Sequence, residues 1–527
     1  MKDTALTLTV PAHEIEKLTS EIETLKADKA NLEALVKYYE EQLRLSKHRQ
    51  FGVSSEQTQA DGCEQLSMFN EAEQLSDQSK DESILEQIAA HTRCKTLGKR
   101  EQDLSKLPAE QVIHELPENE RICLACGKPL HICGHDILRR ELIIIPAQVK
   151  VLEHVQTVYA CRNCDKTALE TPMKKAAVPA PVIRGSGLAS PSLLAHIIHQ
   201  KYVLALPLHR QEQEWQRMGI NLSRQTMANW VIYAYEKHLR QFVGCLQKEL
   251  LKNEVLHADE TTVQVLREDG KPAQSKSYMW LYRTSGDAKK PVVLYDYKDS
   301  RSAAHPAKFL KGFSGFLHTD GYAAYHSLPG VTVVGCWAHM RRKFDEVLKS
   351  LPPEKRKSSG SQMGLEYCNR LFSLEREYEK LTPDERQEQR CKESKPIAEA
   401  FFAWALATQP RTLPKMAFGK AISYALSQKQ RLMNVYLDGR LELSNNRAEN
   451  SIRPFTVGRK NWLFCNTPAG ADASAAYYSL IETAKANGID PFAYMEFLFQ
   501  HIPQLSSGAS LENCLPWSEA ALQFCQK

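Results

Sequence analysis

The sequence predicts a multidomain α+β protein, with helical segments towards both ends and a compact run of short strands between them. Three observations carry that expectation. A chain of 527 residues exceeds what one hydrophobic core supports. The spacing of its apolar residues changes period several times along the chain. Its composition, 43% hydrophobic and 25% charged, is that of folded protein. The net charge of +5 permits a nucleic-acid partner without requiring one. The start, MKDTALTLTVPAHEIEKL, has no basic segment leading into an apolar run, and stretches of about 18 consecutive apolar residues are lacking. A cytoplasmic protein without membrane contact is therefore expected.

From Ile15, apolar residues recur at Leu18, Ile22, Leu25, Leu32, Val36, Tyr39 and Leu43, a heptad seam with Lys29 as its polar interruption. A coiled coil over residues 13–50, pairing two copies of the chain, accounts for the seam; a single helix lying on the body of the chain is the alternative. The basic residues that follow, Arg44, Lys47, His48 and Arg49, suit DNA phosphates or a solvated face. Residues 51–110 are rich in Gln, Ser, Asp and Glu with few large apolar groups, which predicts a flexible linker.

Of 14 cysteines, four form two CxxC pairs, Cys123 with Cys126 and Cys161 with Cys164, separated by a strand-like segment. Each two-residue spacer lets one tight turn supply two thiolates, and four thiolates surround Zn²⁺ tetrahedrally with no open position. A zinc-ribbon-like domain over residues 115–170 with a structural Zn²⁺ is expected, His131 and Cys133 being spare donors. KKAAVPAPVIRGSGLASPS, 174–192, reads as an interdomain linker because of its prolines and glycines.

Residues 186–250 carry helical periodicity interrupted at Gly219, with Ser223 placed to cap a second helix. That is the form of a helix-turn-helix, in which the first residues of the second helix, here Arg224, Gln225 and Asn229, reach base edges. Two packed structural helices give the same pattern.

From Val255 the texture changes to strands: VLHADETTVQVL, SYMWLYRT and PVVLYDYK, then a helix, GFLHTD, a short helix, VTVVGCW and the helix AHMRRKFDEVL. This order over 251–350 matches a ribonuclease H-like α/β core, with Asp259 inside the first strand and Asp320 ending the fourth. A carboxylate among apolar strand residues is costly unless a partner or metal compensates it. Glu449, at a helix with Ser444, Asn445 and Asn446 as capping candidates, is the third acid; Glu260 and Glu442 are alternatives. Such oxygen donors suit Mg²⁺ or Mn²⁺.

At these residues the sequence closely resembles the transposases of the insertion-sequence-66 family. The matching stretches are HADET around Asp259, HTDGYAAY around Asp320, GCWAHMRRKF at 335–344 and NNRAENSIRPFTVGRKNWLF around Glu449, together with RQFGVSSEQ, both CxxC pairs and the tail AAYYSLIETAKANGIDPFAYMEFLF. The resemblance covers most of the chain, in order. It implies a DDE transposase that uses Asp259, Asp320 and Glu449 with Mg²⁺ to cut the ends of its own element and join them to target DNA. It also implies a helical insertion before the glutamate, here 351–438, led by the basic loop PPEKRKSSGSQ. His339, Arg341, Arg342, Asn446, Arg453 and Lys460 are then candidates for DNA phosphates, or plain surface charge. The core resumes over 439–468, and 469–527 should be a small helical piece, with Asn487-Gly488 ending one helix and Asp490-Pro491 starting the next. Companion proteins of the same element are implied as partners. The rival readings are a DNA-binding regulator without catalysis and a ribonuclease H-like nuclease that cuts without joining.

Overall fold

The computed structural model describes residues 149–160, 173–506 and 508–526, and the helical positions Ile22, Lys26, Lys29, Val36 and Glu40. Ile22 and Val36, both on the expected seam, are exposed; the rest of the heptad segment, the expected linker over 51–110 and all four CxxC cysteines lie outside the described residues. The chain divides into two compact units, residues 55–176 and the remainder. In the smaller unit, β1 (Val158–Ala160) and β2 (Met173–Lys175) pair antiparallel, Tyr159 opposite Lys174.

The boundary between the units falls within the expected interdomain linker, 174–192, but part of that segment is packed. Val182 and Ile183 are buried in the core of the larger unit, and a ring nitrogen of His238 lies 2.8 Å from the Val182 carbonyl. Proline and glycine marked irregular backbone correctly, but the two branched apolar residues between them dock it. Helix α1 (Pro191–Tyr202) follows, with the Ser190 hydroxyl accepting from the Leu193 amide and Pro191 in the first turn. After α2 (Leu208–Arg217) the chain turns at Gly219, whose φ of +79° suits glycine. Ser223 then caps α3 (Arg224–Ala234), accepting from the Thr226 amide at 3.1 Å. A π-turn at Tyr235–Leu239 leads into α4 (Arg240–Leu251). Met227, Trp230, Val231 and Ala234 recur at helical spacing and bury one face of α3, leaving Arg224, Gln225 and Asn229 exposed.

The five-stranded sheet follows. β3 (Val255–Gln264), β4 (Lys276–Thr284) and β5 (Val293–Lys298) form the expected antiparallel meander. After α5 (Ala304–Phe309), β6 (Gly315–Thr319) and β7 (Val331–Gly335) add in parallel, giving the order β5-β4-β3-β6-β7. β6 starts tight against the chain entering β3: a Cβ on Gly315 would lie 2.3 Å from the Glu254 carbonyl oxygen. The two strands then diverge, since their pairing ends at His257 opposite His318.

Helix α6 (Trp337–Ser350) leads to the insertion. The basic loop is shorter than expected: Pro353–Arg356 makes one helical turn, and Ser359 caps α7 (Gly360–Glu377), accepting from the Gln362 amide. α8 (Pro383–Gln389) has a Thr382–Glu385 capping box, and α9 (Lys395–Thr408) and α10 (Ala417–Met433) complete the insertion. Phe401 and Phe402 of α9 pack on Trp337, and Phe401 also meets Phe344, so the insertion shares a core with α6.

Three helices then close the unit around the sheet: α11 (Asn446–Trp462), α12 (Pro468–Ala486) and α13 (Pro491–His501), with the short α14 (Glu519–Cys525) at the end. β5 is an edge strand whose unpaired backbone would be open to other chains. α12 covers it: Ser479 accepts from the Tyr295 amide at 2.7 Å and Thr483 from the Val293 amide at 3.0 Å. Asn487 and Gly488 end α12, Gly488 at φ +71°, and Asp490 caps α13. Among the described residues, no helix is long and apolar enough to cross a membrane.

Candidate active site

The divergence of β3 from β6 creates the site. Beyond His257, the carbonyls on that edge of β3 lack a strand partner and must be satisfied by other means. α11 supplies them. Asn445, at its start, donates its side-chain amide to the Ala258 carbonyl at 2.9 Å, and Arg459, near its end, donates to the Thr262 carbonyl and to the Thr261 hydroxyl at 3.2 Å. Both ends of the helix are thus fastened along β3, and Glu449 in its first turn faces the strand that carries Asp259.

Here local expectation gives way to tertiary structure. Asn445 occupies the N-cap position but makes no side-chain cap. Its side chain is spent inward, donating to Ala258 and accepting from His257 Nδ1 at 3.0 Å. His257 in turn stacks on its register partner His318, ring centroids 4.4 Å apart. The His318 Nε2 accepts from the Glu442 amide at 3.2 Å. Burial holds both imidazoles neutral, pushing His257 down to about 3 and His318 well below its usual value. The sequence reading missed this buried layer, although each histidine stands two positions before an aspartate, His257 before Asp259 and His318 before Asp320.

Asp259 lies within β3, and Asp320 follows β6 directly. An Asp320 oxygen accepts from the Tyr322 amide at 3.0 Å, and its carbonyl accepts from the Tyr424 hydroxyl at 2.9 Å. The pKa of Asp259 is raised well above the usual carboxylate value, first by burial and then by the negative charges of Glu260, Asp320 and Glu449. Asp320 and Glu449, from distant segments, thus stand near enough to act on the charge of Asp259, but among the described residues the three acids do not close to a set of donors within 4.8 Å of one another; the set that does is Cys336, His339 and Glu449. Of the alternatives, Glu260 points to the Tyr325 hydroxyl, 2.7 Å away, and to Arg301, while Glu442 pairs with Arg447 at 2.6 Å.

A polar cavity of about 340 Å³ is lined by Asp259, Glu260, Thr261, His339, Arg342, Glu449, Ile452, Arg453 and Thr456. The last four of these lie on one face of α11. Arg342 Nη2 is 3.4 Å from Glu449 Oε2, and His339 Nδ1 is 3.6 Å from Glu449 Oε1. Burial lowers the His339 pKa, against the pull of Glu449. Arg341 points elsewhere, donating to Asn369 of α7 at 2.7 Å. Asn446 and Lys460 are exposed at the two ends of α11, and Arg224, Gln225 and Asn229 belong to α3, outside this cavity. A larger cavity of about 660 Å³, between Arg283, Arg447 and Lys485, contains none of the three acids, so size does not mark the chemistry here.

A carboxylate held towards its protonated form by burial and then by nearby acids, as Asp259 is, fits a divalent cation that would offset that cost.

The family model described as Transposase IS66 family matches residues 186–473, more than half of the chain and the whole of this site. The chain belongs to that family. Further models of the same transposases match on either side: the zinc-finger binding domain of transposase IS66 at 120–165, which spans all four CxxC cysteines, and the IS66 C-terminal element at 479–517. The model described as Transposase C of IS166 homeodomain matches 38–112. Three similar proteins come from Sinorhizobium fredii (strain NBRC 101917 / NGR234), each called uncharacterized. y4qI is 32% identical over 78% of this chain and 75% of its own length, y4hP 31% over 77% and 74%, and y4jD 31% over 80% and 82%. No solved structure matches. Membership in the IS66 transposases makes the chain a transposase with DNA-binding and zinc-binding features.

Proposed function

We propose that this IS66-family transposase is a DDE enzyme that cuts the ends of its insertion sequence and joins them to target DNA in a metal-dependent reaction. The observation that carries the reading is that Asp259 and Glu449 face one polar cavity, with Asp320, at the end of the neighbouring strand β6, near enough to act on the charge of Asp259. The sheet order and the helices between β7 and α11 support a ribonuclease H-like core with an insertion.

The three carboxylates would hold Mg²⁺ or Mn²⁺, which when bound activate a water or a DNA 3′-hydroxyl and neutralise charge at the phosphate under attack. The protein's own part is positioning. Asn445 and Arg459 hold α11 on β3, so that Glu449 is kept on the wall of the cavity that Asp259 also lines. Arg342 and Arg453 offer guanidinium groups at the cavity wall for phosphate oxygens, and Asn446 and Lys460 extend that track along α11. His339 and Arg341 are the weaker phosphate candidates, each being turned towards a protein neighbour. The exposed start of α3, with Arg224, Gln225 and Asn229, would read base edges at the element ends.

Cys123, Cys126, Cys161 and Cys164 would bind one structural Zn²⁺. The heptad helix would pair two copies of the chain, and companion proteins of the element would join the assembly. The enzyme would act in the cytoplasm, on the nucleoid when bound to DNA.

The test is an assay of the purified full-length chain on duplexes bearing the element ends. Cleavage and joining in Mg²⁺, both abolished by chelator, are expected. Cleavage with no joining in any divalent ion would favour the nuclease instead, and binding with neither reaction would favour the regulator.

A further inference from the structure

We infer that His339 is a fourth protein ligand of the metal centre, its Nδ1 sharing with Glu449 Oε1 the divalent cation that Glu449 holds. The inference rests on the proposed role of Glu449 and extends it to a nitrogen donor.

The geometry is that of two donors with a gap between them. His339 Nδ1 and Glu449 Oε1 are both buried, and neither has a hydrogen-bond partner. They lie 3.6 Å apart. A charge-assisted hydrogen bond between them would close to about 2.7–2.9 Å, and buried polar atoms are seldom left unmatched. Two donors sharing one small divalent ion, each bond about 2.1 Å long, stand roughly 3.0–3.6 Å apart. The other carboxylate oxygen, Oε2, faces Arg342, which turns Oε1 inward.

The histidine is also held in place. Trp337, two residues before it, donates its amide to the Leu443 carbonyl at 2.9 Å and its indole N–H to the Leu432 carbonyl at 3.0 Å, fixing the first turn of α6. Cys336 Sγ lies within 4.8 Å of a ring nitrogen of His339 and of a carboxylate oxygen of Glu449. That sulfur already accepts the Asn445 amide at 3.1 Å, so it acts as a brace behind the pair. A phosphate contact through Nδ1 is disfavoured, because the atom faces a carboxylate inside the protein.

A pair of one imidazole and one carboxylate shifts metal preference. Mg²⁺ takes oxygen donors, whereas imidazole favours transition ions. The centre should therefore prefer Mn²⁺ to Mg²⁺ by more than three carboxylates alone would.

The test is pulsed electron paramagnetic resonance on the full-length, zinc-loaded chain with Mn²⁺ added. The wild type should show ¹⁴N coupling from a coordinated imidazole. His339→Gln should lose that coupling and weaken Mn²⁺ binding about tenfold, with Mg²⁺ affinity changed less; His339→Asn serves if the first variant misfolds. Bound Mn²⁺ without nitrogen coupling in the wild type would overturn the inference while leaving the proposed function intact. Coupling that survives both substitutions would overturn it too, since the nitrogen would then come from another residue. Absence of Mn²⁺ binding at the carboxylates would overturn this inference and the metal-dependent function together.

Discussion

The side-chain amide of Asn445 donates to the carbonyl of Ala258 across 187 positions of sequence, at 2.9 Å. It ties the first turn of α11, and with it Glu449, to the strand position just before Asp259. Replacing Asn445 by Ala removes this bond and the one from His257, and leaves the Ala258 carbonyl buried without a partner. Unfolding in urea should show a loss of roughly 2–4 kcal/mol. Stability unchanged within error would mean that α11 is held by other contacts.

The stacked histidines make stability depend on acid. His257 is depressed to about 3 in the folded state, against an ordinary value near 6.5 when unfolded. Below pH ~6.5 the unfolded chain binds a proton that the folded one refuses, so stability present above that pH is lost as pH falls towards 3. The slope is about 1.4 kcal/mol per pH unit for each such group. His257→Gln should flatten the decline between pH 6 and 4, measured by denaturant midpoints, by about one group's share. An unaltered slope would contradict a neutral buried imidazole.

The zinc assignment predicts about one Zn²⁺ per chain by elemental analysis. Cys161→Ser should remove it. Stoichiometric zinc in that variant would contradict the four-thiolate site.

For the DNA contacts, α3 and α11 should behave differently. Asn229→Ala should cost about 1–3 kcal/mol of affinity for the element ends and relax base preference, whereas Lys460→Ala should weaken all duplexes alike and reduce the salt slope by about one. Equal effects of the two changes on specific and random duplexes would remove α3 from base reading.

The fold was legible where local signals and burial agreed. Ser223, Gly219, Gly488 and Asp490 mark their helix ends as read, because each acts on backbone groups within a few residues. The places of Asp259 within β3 and of Asp320 directly after β6 were legible, because a carboxylate beside apolar strand residues stands out from the local pattern. The linker at 174–192 does contain the boundary between the units, but the burial of Val182 and Ile183 within it was not legible, since it depends on helices that follow later in the chain. Asn445 was misread as a cap, because the diverging edge of β3 offers its amide a buried carbonyl that no local pattern reveals. The histidine layer was visible only as a repeated His-x-Asp spacing, whose meaning depends on the parallel register of β3 and β6.

The proposed chemistry depends on the three carboxylates. Asp259→Asn, Asp320→Asn and Glu449→Gln each keep side-chain shape while removing a negative donor, and leave the Lys and Arg phosphate contacts untouched. Cleavage and strand transfer on element-end duplexes, measured beside binding to the same duplexes, should fall by about 100-fold or more in every variant, with affinity retained. Full joining activity in Glu449→Gln would contradict the account, and the third ligand would have to be another acid.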